Sequence, residues 1–292
     1  MLRGRDYEGL DDLRRMQELV ARVWHESGRP PLPHHVGDVP WRQFSVPGRE
    51  QNFATRLWEE DGGVAAWAWL TLPDKLEVVI APNRRRDLVD EMIAWADARA
   101  GCAVEVECLD ADAELRELLT ARGFLPLESD CLYSHARTLE TLPEPDVPSS
   151  YALRHVRLPD DLPQRVSVHR SAFGTQERPS RVTEESYAAV TRCWPYREEL
   201  DWVAEAPDGS FAAFCLIWLD EENRVGELEP VGTHDDHRRR GLARAVCTAA
   251  IRALRDAGAE TAIVLAVTDE ARALYRAIGF REVGRYAWFR RS

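Results

Sequence analysis

The chain has 292 residues, 45% of them hydrophobic and 30% charged, with a formal net charge of −12. That is the composition of a globular protein long enough for one or two domains. The acidic balance argues against a broad nucleic-acid surface and favours a cationic or amine-bearing partner. No apolar run approaches the roughly 20 residues of a membrane span. The opening stretch MLRGRDYEGLDDLRRM has no apolar signal core, so a cytoplasmic protein is expected.

Along the first half, PPLPHHVGDVPW (30–41) reads as a proline-rich loop reaching over a cleft between domains. It carries adjacent His34 and His35. A metal role for them needs further convergent ligands that the sequence does not identify, so no metal is expected. Next come PNRRRDLVDEMIAWADARAG, AVEVECL and DADAELRELLTARGFLPL. They read as an arginine cluster, a helix, an apolar strand, a helix and a Gly-Phe pair. LPEPDVPSS (142–150) has the proline and serine content of a linker. It divides the chain into expected domains at 1–141 and 151–292.

In the second half, YALRHV (151–156) alternates as a strand does, and DDLPQRVSVHRSAF and TEESYAAVTRC read as helices, the second capped by Thr183. LDWVAEA and SFAAFCLIWL flank the turn PDGS, and RVGELEPVGT forms a fourth strand. A helix over 239–257 places Leu242, Val246, Ala250 and Leu254 on one face. The apolar strand 261–267 is expected to be central and buried. The succession predicts an α/β fold with a mixed, mostly antiparallel sheet flanked by helices. Arg84 and Arg238, and again Gly123 and Gly279, stand at nearly constant spacing, which points to a tandem duplication. The six cysteines form no CxxC pair and read as reduced, mostly buried thiols.

THDDHRRRGLARAVCTAA (233–250) carries the chemistry. Arg238, Gly241 and Ala243 stand at a strand-to-helix junction. The first turn of a helix offers unbonded N–H groups and the positive end of its dipole. Small residues there let a phosphate approach the backbone. A pyrophosphate would lie against the N–H groups of residues 239–244, with arginine charge assisting. A compact, multiply charged phosphate suits this loop better than a long polyanion.

EPVGTHDDHRRRGLARA, followed by ALYRAIGF, resembles the GNAT N-acetyltransferase superfamily over about 151–292, and the whole chain resembles a tandem GNAT protein. Ala271, Leu274, Tyr275, Gly279 and Phe280 match the family's second motif; Thr268 stands where that motif has Asn, and Asp235 where a Pro is frequent. The resemblance implies acetyl-CoA as co-substrate, held by Val231, Gly232, Thr233, Arg238, Arg239, Arg240, Gly241, Leu242, Ala243, Arg244, Thr268 and Ala271. Val231 and Thr233 would pair with the pantetheine arm as an added strand.

An amine attacks a thioester only when neutral, so a base must remove its proton, and the departing thiolate gains from a proton donor. Glu227 and Glu229 share a face of the fourth strand, and either suits the base. The resemblance makes Tyr275 the acid. Trp194 and Tyr196 are candidates for a substrate wall. The first half has Asp87 and Val89 where Gly241 and Ala243 stand, and Leu119 where Tyr275 stands. Counting back from Arg84 puts Pro73 and Lys75 at the glutamate positions. A degenerate repeat without cofactor is therefore expected. The leading expectation is an N-acetyltransferase acting on a small-molecule or peptide amine, as a monomer or homodimer. The competing one is a non-catalytic acyl-CoA sensor.

Overall fold

The computed structural model describes residues 2–27, 34–49, 53–60, 63–127 and 131–291. Residues 30–33 of the proline-rich stretch lie outside the described residues. The chain forms two compact units. The first takes Met1–His35, Gly48–Ser134 and Glu282–Ser292; the second takes Val36–Pro47 and His135–Arg281. This partition differs from a cut at 142–150. A short piece of the first half belongs to the second unit, and the last strand of the chain belongs to the first.

The first unit contains β1 (Arg3–Asp6), α1 (Leu10–Ser27), β2 (Phe53–Glu60), β3 (Gly63–Thr71), β4 (Lys75–Ile80), α3 (Arg85–Asp97), β5 (Glu105–Leu109), α4 (Ala113–Thr120) and β6 (Phe124–Pro126); α2 (Asp38–Phe44) belongs to the second unit. The sheet runs β1-β2-β3-β4-β5-β13, where β13 is Arg281–Arg291 and β6 pairs with its far edge. Helix α1 buries Leu13, Met16, Val20 and Val23, an apolar stripe at helical spacing.

The second unit is built from α2, residues 135–138 of β7 (Leu132–Thr138), β8 (Ala152–His155), α5 (Leu162–Phe173), α6 (Glu184–Thr191), β9 (Asp201–Glu205), β10 (Phe211–Asp220), β11 (Val225–Thr233), α7 (Leu242–Asp256), β12 (Thr261–Ala266) and α8 (Asp269–Ala277). Its sheet runs β7-β12-β11-β10-β9-β8. Thr183 caps α6 as expected: its hydroxyl accepts from the Ser186 N–H, and the Ser186 hydroxyl accepts from the Thr183 N–H. Strand β12 lies inside the sheet with Ala262, Val264 and Ala266 fully packed. Helix α7 begins at Leu242 rather than 239 because Arg239 and Gly241 take left-handed backbone, with φ of 61° and 78°.

Two irregularities of β11 prepare a site. It pairs in parallel with β12 only over Val225, Gly226 and Glu227, and beyond Glu227 that ladder ends. On its other edge Ile217 opposes Leu228 and Cys215 opposes Val231, so Glu229 and Pro230 together face Leu216. This is a bulge, a device that re-aims side chains. Among the described residues no helix is long and apolar enough to cross a membrane. All six cysteines are free thiols, with Cys108, Cys215 and Cys247 buried.

Candidate active site

Where the β11–β12 ladder ends, a cleft of about 490 Å³ opens, lined by the end of β11, the loop into α7, and α8. Val231, Gly232, Thr233, Arg238, Arg239, Gly241, Leu242, Ala243, Arg244, Ala271 and Tyr275 line it, together with His237, Glu270 and Leu274. Gly241 is the N-cap of α7, and a Cβ there would meet nothing within 4 Å, so the space over it is open. Both Gly241 and Arg239 take left-handed φ, the kind of local backbone from which anion-binding concavities are built. Two other expected cofactor residues sit differently. Arg240 donates to the Tyr151 hydroxyl at 2.8 Å and the Asp236 carbonyl at 3.0 Å. Thr268 caps α8, accepting from the Ala271 N–H at 3.2 Å, and is not part of the cleft lining.

Beside the cleft lies an acidic cluster. Glu227 is buried on β11 opposite Trp218, and Glu229 is half-buried two residues on. Burial holds the Glu227 carboxyl well above its ordinary value, and the charges of Asp38 and Glu229 act the same way. Burial, then Asp38, pushes Glu229 up to about 8, while Arg42 and a hydrogen bond from the Trp41 indole act in the other direction. The Trp218 indole donates to the Glu229 carbonyl at 2.7 Å and fixes the strand at the bulge.

Asp38, Trp41 and Arg42 all come from α2, which begins inside the segment 30–41 read from the sequence as a loop. The helix is seated closely. A Cβ at Gly37 would stand 2.0 Å from Trp218 Cγ, so only glycine allows this approach. Trp41 packs edge-on to Tyr187 at 6.2 Å, and the Ser45 carbonyl accepts from the Ser186 hydroxyl at 2.8 Å. Sequence reasoning misses Asp38, Trp41 and Arg42 because no local motif marks them. Asp38 followed by an amphipathic Val39, Trp41 and Phe44 was the one available sign of a helix.

Tyr275 is 5% exposed at the inner end of the cleft, between His135, 6.2 Å away ring to ring, and Phe280 at 6.0 Å. Burial keeps its hydroxyl protonated far above the ordinary range. Trp194 is 42% exposed. Tyr196 packs 6.2 Å from Trp218 and donates to Asp201 at 3.4 Å. Asp201 also accepts from the fully buried Arg165 Nε at 2.9 Å, and from the Tyr187 hydroxyl.

In the first unit the corresponding ladder is shorter still, pairing only Lys75 with Glu105 and Leu76 with Val106. The space beyond it amounts to only about 20 Å³, room for roughly one water molecule. Arg85 at the start of α3 pairs with Asp112, and both line that space. Asp87 pairs with Arg84 at 2.9 Å, and Val89 and Leu119 are buried in the core. The glutamate position is a correction. Trp69 opposes Glu77 on β4 as Trp218 opposes Glu227 on β11, so Glu77 is the counterpart, not Pro73. Counting from the arginines fails because the chain between strand and helix is shorter in this unit.

The fold and the cleft define a class, and the comparisons agree with it. The sequence model of the Acetyltransferase (GNAT) family matches residues 169–280. This portion matches the GNAT acetyltransferase domain, whose family uses acetyl-CoA as co-substrate, and family and relatives together mark the protein as an N-acetyltransferase. Among its relatives are the mycothiol acetyltransferases of Kineococcus radiotolerans, 29% identical over 76% of both chains, and of Mycobacteroides abscessus, 27% identical over 93% of this chain and 94% of the other. A tandem GNAT protein from the clavulanic acid biosynthesis pathway has the same fold, with a TM-score of 0.66 at 16% identity over 99% of this chain and 98% of that one. A GCN5-related N-acetyltransferase from Sphaerobacter thermophilus gives 0.63 at 21% identity, over 99% and 95%.

Proposed function

We propose that the second unit moves the acetyl group of acetyl-CoA to a primary amine of a small molecule, by direct attack within a ternary complex. The observation that carries this reading is the continuity of the cleft, which runs from the left-handed turn at Arg239–Gly241 to the Tyr275 side chain. The pyrophosphate lies against the N–H groups at the start of α7. The pantetheine arm adds to the free edge of β11 at Val231–Thr233. The thioester then arrives at Tyr275, beside the acidic cluster.

The acceptor enters as an ammonium with a pKa near ~10. Asp38 draws it in by charge and Arg42 offsets part of that field, while their raised values leave Glu227 and Glu229 largely neutral near pH 7. Glu229 is the better base. A pKa of about 8 lies close to the operating range, whereas Glu227 is held well above its ordinary value. The freed amine attacks the carbonyl carbon. The oxyanion is held by a backbone N–H at Val231. The C–S bond then breaks, Tyr275 gives its proton to the departing sulfur, and the second proton that the nitrogen sheds on becoming an amide restores the Tyr275 hydroxyl. Trp194, exposed beside α6, offers an apolar wall for the acceptor. The first unit holds no cofactor in this reading, since its cleft is closed by the Arg85–Asp112 pair. The acceptor of the mycothiol acetyltransferases belongs in the first panel of amines.

Calorimetric titration with acetyl-CoA tests this. One site per chain, abolished by Gly241→Asp, is the expected result. Two sites would overturn the reading of the first unit. No site would overturn the assignment of the cleft.

A further inference from the structure

The first unit contains a second cluster of ligand-bearing side chains, separate from the acetyl-transfer cleft. His34, Glu77 and Glu107 bring one imidazole nitrogen and two carboxylate oxygens within 4.8 Å of one another. These are the convergent ligands that the His34–His35 pair lacks in the sequence. Glu77 is on β4 and Glu107 on β5, so the parallel strands supply two ligands from one face. His34 arrives from the segment after α1.

The imidazole is fixed from several sides. Its ring lies 5.1 Å from Trp67 and 5.4 Å from Trp69, and the His34 carbonyl accepts from the Trp24 indole at 2.8 Å. Its side chain is 4% exposed and that of Glu77 5%.

The spacing fits a shared ion. His34 Nε2 stands 3.6 Å from a Glu77 oxygen. Two ligands bound at 2.0–2.2 Å to one tetrahedral centre lie ~3.3–3.6 Å apart. The charges fit as well. A buried carboxylate such as Glu77 is costly to leave uncompensated, and a divalent cation would balance it together with the half-buried Glu107. Three protein ligands leave a fourth position of a tetrahedral shell for water. Mixed imidazole and carboxylate donors suit zinc better than the all-oxygen cations.

We propose that His34, Glu77 and Glu107 form a zinc site in the first unit. The position matching the buried glutamate of the acetyl-transfer site there serves metal binding. The ion ties β4, β5 and the chain after α1 together, and it takes no part in acetyl transfer.

The experiment uses the full chain, stripped of metal by a chelator and then dialysed. It is titrated with Zn²⁺ in a calorimeter and with Co²⁺ by visible absorption. One equivalent is expected, with a four-coordinate cobalt spectrum and a rise in Tm. Glu77→Gln and Glu107→Gln should each weaken binding at least about 100-fold, beyond the 10–100-fold typical of outer-shell changes. Glu229→Gln should leave it unchanged. Glu107 is half-buried, so its variant guards against misfolding, and far-ultraviolet circular dichroism checks both. No saturable zinc binding overturns the proposal. So does binding that survives Glu107→Gln, or binding that Glu229→Gln removes.

Discussion

Asp38→Asn isolates one electrostatic contribution to the base. In the intact protein Glu229 rises from 4.5 to about 8. That elevation amounts to ~5 kcal/mol against the charged form. Burial is the larger cause and the Asp38 charge the second, and a neighbouring like charge typically moves a carboxyl by ~1 pH unit. Asparagine keeps the shape of the residue and removes the charge. At pH 7 the ionised fraction of Glu229 should then rise from about one in ten to about one in two, a gain of about fivefold in the ionised base. The assay is kcat/KM against pH from 5.5 to 9.5, following free thiol release with one fixed amine. Using the same amine throughout cancels the acceptor's own ionisation. The acid limb should move down by about one unit. A limb that stays in place, or moves up, would falsify the assignment of Glu229 as the base under Asp38 control.

Three other outcomes follow from the same geometry. Tyr275→Phe should lower kcat by about 10²-fold while leaving acetyl-CoA affinity unchanged, because only the proton is lost; an unchanged kcat removes Tyr275 from the reaction. Gly37→Ala sets a methyl group 2.0 Å from Trp218 Cγ, so α2 must shift. A loss of about 1–3 kcal/mol is expected, with acceptor kinetics impaired and acetyl-CoA binding retained; intact acceptor kinetics would show that α2 has no part in the site. Glu229→Gln should flatten the dependence of Tm on pH. The carboxyl ionises near 4.5 unfolded and near 8 folded, so the stability it contributes is complete below 4.5 and is lost as pH rises toward 8. The variant should therefore match the parent at pH 4.5 and exceed it at pH 8.5; equal curves would mean that Glu229 titrates normally.

The parts of the site that lie within one stretch of chain were legible. The Arg-x-x-Gly-x-Ala turn, the two strand glutamates and the ALYRAIGF helix are each marked by local spacing, and the elements carrying them were read at nearly their observed bounds. Loop residues on either side of a motif were less so. Arg240 and Thr268 belong to the motifs by position, yet their side chains are engaged by Tyr151 and the Ala271 N–H. What tertiary packing alone decides was hidden. Asp38, Trp41 and Arg42 reach Glu227 and Glu229 across most of the chain. A proline within α2 and four prolines within 30–41 made that segment read as loop. Glu77 was hidden for another reason: insertions between strand and helix defeat counting, whereas strand pairing aligns it at once.

The distribution of the chain between its units bears on how the protein comes into being. The first unit's sheet needs β13, made after every residue of the second unit, and the second unit needs α2, made among the residues of the first. Synthesis therefore cannot deliver two finished halves in succession. The N-terminal sheet waits with an open edge beside β5 until residues 281–291 emerge, and such an edge invites foreign strands. A gene cut at the apparent linker would give a front piece lacking a strand and a rear piece lacking the Asp38–Phe44 helix. A shuffling event that discarded the first half of the chain would discard the Asp38–Phe44 helix of the second unit as well.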